Sequence, residues 1–340
     1  MSPSFQIALT TVFTVFCIIA SGFYLRRSGQ IKEEHDAALL QLVVNLLLPC
    51  LIFDRIIKTD AFENWQNCVL PPILGFLSVG VGILIALAIA AIPMKWSGLK
   101  SWRERRTFAA CVGAHNYGFV PYPLILALYP ANDRLVSVLF VQNLGTEFAM
   151  WTILIFCIMG RFDKASLKRA INGPTITIPI VMTLNLVGHS ELLPDSFFVS
   201  VTPYFDFFLD AVHMLGQAAF PISILMVGAT FADFAHWSTM RLRVTKSLRI
   251  SFWSCFVRLF LLPPLFLVVA VFLPVTQEIK QVLVIHGATS SAIFSIVLTK
   301  HYDGNTEVGF DSIMSNMVVS ILTLPAWTAL GLSLVTPYAP

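Results

Sequence analysis

The sequence predicts an all-α polytopic membrane protein of about ten transmembrane helices arranged as two inverted five-helix repeats. Three observations carry that prediction. Of 340 residues, 56% are hydrophobic and only 12% are charged, which is far too apolar for a soluble chain of this length. The apolar residues fall into runs separated by short loops whose basic residues alternate from side to side. Several motifs of the first half recur in the second at a nearly constant offset.

The apolar runs are 5–25, 37–57, 68–92, 107–129, 134–159, 174–190, 212–233, 250–273, 280–300 and 312–335. Most approach the ~20 residues that a helix needs to cross a bilayer. Met1 to Ala20 lacks a basic leader region, and Arg26 and Arg27 follow the apolar run, so the first run reads as a retained span. The sixth run is short. Behind it, Leu192 to Asp210 mixes aromatic residues with Pro194, Asp195, Pro203, Asp206 and Asp210, predicting a segment lying along the membrane interface.

Orientation follows from lysine and arginine, which collect in cytoplasmic loops. One set of alternate loops carries Arg26, Arg27 and Lys32; Lys95, Lys100, Arg103, Arg105 and Arg106; Arg161, Lys164, Lys168 and Arg169; Arg241, Arg243, Lys246 and Arg249; and Lys300. The opposite set has only Arg55, Lys58, Arg134 and Lys280, and Arg258 lies inside span eight. Both termini are thus expected outside, in a protein of the plasma (inner) membrane. A net charge of +3 spread over these loops forms no patch for nucleic acid. The six cysteines (Cys17, Cys50, Cys68, Cys111, Cys157, Cys255) lie in or beside apolar runs without a CxxC pair, which argues against disulfides and structural zinc.

The repeat shows in Pro49 of Leu48-Pro49-Cys50-Leu51 against Pro221 of Phe220-Pro221-Ile222-Ser223. Gly113 matches Gly287, and Trp151-Thr152 matches Trp327-Thr328. With five spans per half, an odd number, the second half must be inverted, an arrangement typical of secondary transporters with a site at the repeat interface. The expected domains are 1–160, a cytoplasmic linker 161–173, and 174–340.

Span four contains Gly113-Ala114-His115-Asn116-Tyr117-Gly118-Phe119-Val120-Pro121-Tyr122-Pro123. Gly113, Gly118, Pro121 and Pro123 weaken a helix where His115 and Asn116 are costly to bury. Two readings follow: a broken helix lining a midplane substrate site, or a proline-kinked helix whose polar groups bond to neighbours. The repeat supplies a partner in span nine, Ile285-His286-Gly287-Ala288-Thr289-Ser290-Ser291-Ala292, which has no proline. Its break must rest on Gly287 and on hydroxyls that compete for backbone carbonyls.

These residues resemble the auxin efflux carrier family of membrane transporters, which includes the plant PIN proteins and many bacterial carriers. The resemblance spans nearly the whole chain. It rests on Leu48 to Phe53, on Asn116-Tyr117-Gly118-Phe119 with Pro121 and Pro123, and on Pro221 with Met226-Val227-Gly228-Ala229. Gly287 to Ser291 with Tyr302, and Leu324-Pro325-Ala326-Trp327, complete it. The resemblance implies two inverted five-helix repeats, broken helices four and nine crossing near the substrate, a scaffold of helices one, two, six and seven, and transport of organic anions. By position, Asn116 becomes the crossover asparagine near the substrate carboxylate, and Pro121 or Pro123 the crossover proline. The absent proline in span nine departs from many relatives. The short loop after span five matches the bacterial-like form, and auxin itself is not implied.

Substrate donors expected near the midplane are Asn116, His115, Tyr117, Asn143, Thr289, Ser290 and Ser291, assisted by half-helix N-termini. Glu147 and Gln142 in span five are coupling-ion candidates, for a proton or sodium. Glu147 alternatively pairs with Arg258, and His115 and His286 alternatively serve packing. Asn45 is expected to satisfy the carbonyl freed by Pro49. His213, Asp233, His236 and His301 sit at span ends and read as solvated or interfacial. The function expected is secondary transport of a small carboxylate by alternating access, with no enzyme activity and no cofactor. A P-loop is absent. The alternatives are a sodium-coupled bile-acid-type carrier, a transporter-like receptor and a membrane metalloenzyme. Expected partners are the anion, the coupling ion and the bilayer, with a homodimer left open.

Overall fold

A computed structural model describes residues 3–130, 132–162, 164–188, 195–237 and 244–335. Among these residues all regular structure is helical. In chain order the main helices are α1 (Pro3–Arg27), α2 (Glu33–Ile56), α3 (Trp65–Ala90), α4 (Trp102–Gly113), α5 (Pro121–Leu128) and α6 (Asp133–Met159). They continue with α7 (Gly173–Gly188), α8 (Asp195–Trp237), α9 (Leu248–Phe272), α10 (Gln277–Ala288), α11 (Phe294–His301) and α12 (Thr306–Val335). Seven of them, α1, α2, α3, α6, α8, α9 and α12, contain stretches long and apolar enough to cross a membrane. The chain is an α-helical integral membrane protein.

The predicted fourth and ninth runs are not continuous helices. Each is divided, with α4 and α5 separated by residues 114–120 and α10 and α11 by residues 289–293. From Asp195 the segment expected at the interface before span seven is helical and continuous with the rest of α8, and Asp206 and Asp210 are exposed on its surface. Residues 189–194 and the loop bearing Arg241 and Arg243 lie outside the described residues.

Polar caps set several helix starts. Asn64 Oδ1 accepts from Gln66 N at the head of α3, Ser101 Oγ from Glu104 N at α4, and Asn132 Oδ1 from Leu135 N at α6. Asn45 does not take the role expected of it. It is exposed, and a π-helical turn over Val43–Leu47 precedes Pro49 instead. A second π turn, Phe256–Leu261, precedes Pro263. Proline there removes the N–H that would bond to Leu259 four residues back, and the Trp327 indole of α12 donates to that carbonyl at 2.8 Å.

The helices pack as two groups. α1 lies along α8, and α2 packs on both α7 and α8. Gly22 and Gly228 bring the backbones of α1 and α8 together, and Gly173 sets the start of α7 against Val44 and Pro49 of α2. Asn185 of α7 donates to the carbonyls of Ile56, Ile57 and Thr59 at 3.0, 3.1 and 2.8 Å, closing the far end of that contact. The other group joins α3, α4 and α6 to α9, α10 and α12. Gly75 and Gly145 are the close-approach points between α3 and α6. The two groups meet along α1, which touches both α5 and α12.

Candidate functional site

The breaks in the two divided helices lie against each other. Beyond Gly113 the backbone turns extended at Ala114 (φ −81°, ψ 126°), and beyond Ala288 it does so at Thr289 (φ −72°, ψ 156°). The extended pieces cross as an antiparallel bridge between His115 and Ser291. Asn116 N donates to Ser290 O at 2.8 Å, and Ala292 N donates to Ala114 O at 2.9 Å. Backbone groups freed from both helices thereby satisfy one another, which non-helical backbone at membrane depth requires. Thr289 Oγ1 sits within bonding distance of both Asn116 O, at 3.0 Å, and His286 O, at 2.8 Å.

The two breaks are held differently. Pro121 opens α5 at a first-turn position, where its missing N–H costs no hydrogen bond. No proline starts α11; a buried cation closes α10 instead. Arg258 is fully buried, and its guanidinium donates to Thr289 O (2.9 Å), His286 O (2.9 Å) and Gly287 O (3.2 Å). These are terminal carbonyls of α10 and the residue after it, where the helix leaves acceptors unpaired and partial negative charge accumulates. The guanidinium carbon also lies 5.9 Å from the Phe266 ring centroid. The hydroxyl expected to hold this break is present in Thr289; the arginine is an addition.

Behind the crossing, His115 and His286 face each other at 4.7 Å between ring centroids, with Phe266 5.8 Å from His115. The Gln142 amide and His286 Nδ1 are hydrogen-bonded at 2.9 Å. Both imidazoles and Gln142 are fully buried.

In front of the crossing lies a narrow pocket bordered by Asn116, Phe119, Val120, Ser290 and Ile293. It is closed by Phe16 and Ile19 of α1, Val227 of α8, and Met317 and Ser320 of α12. Its volume is about 20 Å³, room for one water and too small for an organic acid. The Asn116 amide Nδ2 is buried and has no hydrogen-bond partner among the described residues. Val120 and Ile293, the residues just before α5 and α11, both line this space.

Of the expected substrate donors, Asn116 and Ser290 therefore border the pocket. His115 lies behind the crossing, Thr289 bonds backbone carbonyls, and Ser291 Oγ accepts from Asn316 Nδ2 at 2.7 Å. Asn143 is absent from the pocket wall, and its Oδ1 has no partner among the described residues. Tyr117 points elsewhere: its hydroxyl donates to the Glu147 carboxylate. Glu147 also accepts from Trp151 Nε1 (3.3 Å) and Asn172 Nδ2 (3.1 Å). The alternative pairing of Glu147 with Arg258 is thus corrected, because α10 carbonyls occupy the guanidinium. Gly113 and Gly287 serve close packing, a Cβ meeting the Gly82–Ile83 backbone in one case and the Phe266 side chain in the other. Gly118 has neither a positive φ nor a close neighbour, since a Cβ would meet Phe220 at an ordinary 3.6 Å. At the span ends, His213 bonds Asp54 at 2.9 Å, Asp233 pairs with Arg26 at 3.3 Å, and His301 accepts from Arg169 at 2.6 Å; they are not simply solvated. The side chain of His236 lies outside the described residues.

Sequence reasoning overlooked Asn316, Ser320 and Asn172. The first two had a signal, since both are polar residues inside an apolar run. Asn172 had none, lying in a polar linker where asparagine is ordinary.

Paired broken helices that cross inside a membrane-embedded bundle, beside a pocket with unpaired donors, define a membrane transporter. The chain belongs to the membrane transport protein family, whose model matches residues 7–172 and 162–328; this is the auxin efflux carrier family that its motifs resemble. Over 323 residues it is 21% identical to a protein of Methanothermobacter thermautotrophicus described as an uncharacterized transporter, covering 94% of this chain and 96% of the relative. A second uncharacterized transporter, from Methanocaldococcus jannaschii, is 24% identical over 336 residues, covering 95% and 98%. A yeast uncharacterized transporter matches over 99 residues at 22% identity, covering 28% of this chain and 17% of its own. The protein is a transporter and not an enzyme.

Proposed function

We propose that this protein is a secondary transporter that moves a small organic anion by alternating access. The observation that carries the reading is the buried, unpartnered Asn116 amide, facing a pocket lined by the residues just before α5 and α11. An amide N–H and two positive helix ends suit a carboxylate and have no comparable use for a cation. Ser290 adds a hydroxyl at the same wall, the Ser320 hydroxyl there donates to Met317 O at 2.7 Å, and the remaining lining is apolar.

Counting each divided helix as one crossing gives ten crossings, five in each half. Gly113 and Gly287 then occupy matching places at the ends of α4 and α10, in keeping with two inverted repeats split around the linker 161–173. The α1, α2, α7 and α8 group is the scaffold, and the group carrying the crossing is the moving body. A 20 Å³ pocket between them is a closed state, and substrate enters when α1 and α8 part from the crossing. The excess of basic residues in alternate loops supports an orientation with both termini outside, across a plasma (inner) membrane. A proton or sodium gradient supplies the driving force, with Glu147 and Gln142 as the candidate acceptors.

The test is thermal stability of the purified protein against a panel of organic acids, with and without sodium and at two pH values, repeated on Asn116→Ala. A ligand of the folded state raises its apparent stability. Stabilisation of the native chain by one acid, lost in the variant, supports the site; equal stabilisation of both removes it.

A further inference from the structure

Glu147 stands apart from the pocket, and its surroundings are built across the two helix groups. Its carboxylate, on α6, is met by three neutral donors: the Tyr117 hydroxyl from the crossing, the Trp151 indole one turn along α6, and the Asn172 amide. Asn172 belongs to the linker that leads into α7. Its amide orientation is fixed, because Oδ1 caps α7 by accepting from Thr175 N at 3.2 Å, leaving Nδ2 to face Glu147. Gly173 in turn anchors that helix start on α2. One carboxylate thus joins the crossing to the group formed by α1, α2, α7 and α8.

We propose that Glu147 is a proton-operated clasp: ionised, it ties the linker at Asn172 to the crossing at Tyr117, and protonation releases the tie so that the two groups can move apart. The inference rests on the transporter reading and deepens it by naming the coupling ion as the proton. Donor chemistry decides against sodium. A sodium ion needs several oxygen acceptors, whereas the groups converging on Glu147 present N–H and O–H. An added carboxyl proton finds only the phenol oxygen of Tyr117 as acceptor, and the charge-assisted bonds from Asn172 and Trp151 become neutral, roughly half as strong.

The other titratable and charged groups on the surrounding elements include Arg103, Glu104, Arg105 and Arg106 on α4, Asp133 and Arg134 at the far end of α6, Arg161, Lys168 and Arg169 in the linker, and Lys300 and His301 on α11. Arg106 lies against Gly160. Arg169 donates to His301 Nε2 at 2.6 Å and to Tyr302 Oη at 2.9 Å. That second tie also joins linker to moving body, and a protonated His301 could not accept from Arg169. It must therefore be separated from Glu147 by experiment.

Spin labels carried on non-natural amino acids at exposed Lys168 and Lys300 leave the native cysteines in place. Their separation is measured by pulsed electron resonance in lipid nanodiscs without substrate at pH 8 and at about pH 3.5, below the ordinary range of a glutamate carboxyl. The native chain is expected to hold one short distance at pH 8 and to gain a longer one at the acid pH. The open-to-closed ratio should change by about tenfold, the consequence of weakening charge-assisted bonds. Glu147→Gln should give the longer distance at both pH values, and His301→Gln should keep the native response. Asn172→Asp retains the α7 cap but sets a second carboxylate against Glu147, so its response should invert, open at pH 8 and closed once a proton is shared. A native distance that ignores pH, or a Glu147→Gln chain that still responds, overturns the proposal. So does loss of the response in His301→Gln. Because no substrate is present, a pH-operated clasp in a chain that no organic acid stabilises would sink the anion reading and keep this one.

Discussion

The two breaks at the crossing reach one geometry by different chemistry. The first, residues 114–120, is bonded by the facing break and restarted by its own sequence: extended backbone follows Gly113, Ala114 and Asn116 pair with residues 290–292, and Pro121 starts the next helix. The second, residues 289–293, has no proline, and its carbonyls are gathered by Arg258 from α9 and by the hydroxyl of Thr289. What the comparison teaches is that ending a helix inside a membrane is an accounting of backbone acceptors. Local sequence can do it by restarting the helix, or a distant side chain can do it by bonding the free end.

Substitutions at five positions probe that difference, taken from the largest effect down. Arg258→Met removes the arginine bonds to three buried carbonyls, of which only His286 O keeps the Thr289 hydroxyl, and is expected to lower stability by about 3–5 kcal/mol. Arg258→Lys should recover only part of this, because an ammonium lacks the planar fork. Thermal unfolding in detergent measures both, and a native melting temperature in Arg258→Met would show that the arginine does not hold the break. Gly113→Val forces a branched side chain into the Gly82–Ile83 backbone and should cost roughly 3 kcal/mol, whereas Gly118→Ala should stay within about 0.5 kcal/mol. If the two glycines respond alike, close approach is not what distinguishes them. Thr289→Val removes the hydroxyl shared by His286 O and Asn116 O, with an expected loss of about 1 kcal/mol. Pro121→Ala should also be mild, under about 1 kcal/mol, because an N–H at that helix position has no intrahelical partner. A large loss there would mean that the first break depends on proline more than its cap position implies.

The first break was legible because its causes are local. Gly113, Asn116, Pro121 and Pro123 in an apolar run announce a discontinuity through backbone chemistry alone. The second was legible only as a partner of the first, from small and polar residues at the matching offset. Arg258 could be seen as a cation inside a span, yet its role could not, because the carbonyls it serves lie about thirty residues on and belong to another helix. Glu147 was visible as a costly carboxylate at membrane depth. Pairing it with Arg258 was reasonable by charge, but neutral donors from three segments surround it instead.

By itself, then, the sequence determined that this chain lives in a membrane, roughly where its helices run, and which two stretches cannot be plain helix. Those outcomes follow from transfer of apolar side chains and from backbone preferences, both set residue by residue along the chain. Only the tertiary structure decided that Asn116 faces the pocket while His115 lies behind the crossing, that Arg258 ends α10, and that Asn172 reaches Glu147. Each of these depends on which buried donor arrives beside which acceptor. Hydrogen bonds are short and directional, and no one-dimensional pattern encodes a meeting between segments that only the packing of the bundle brings together.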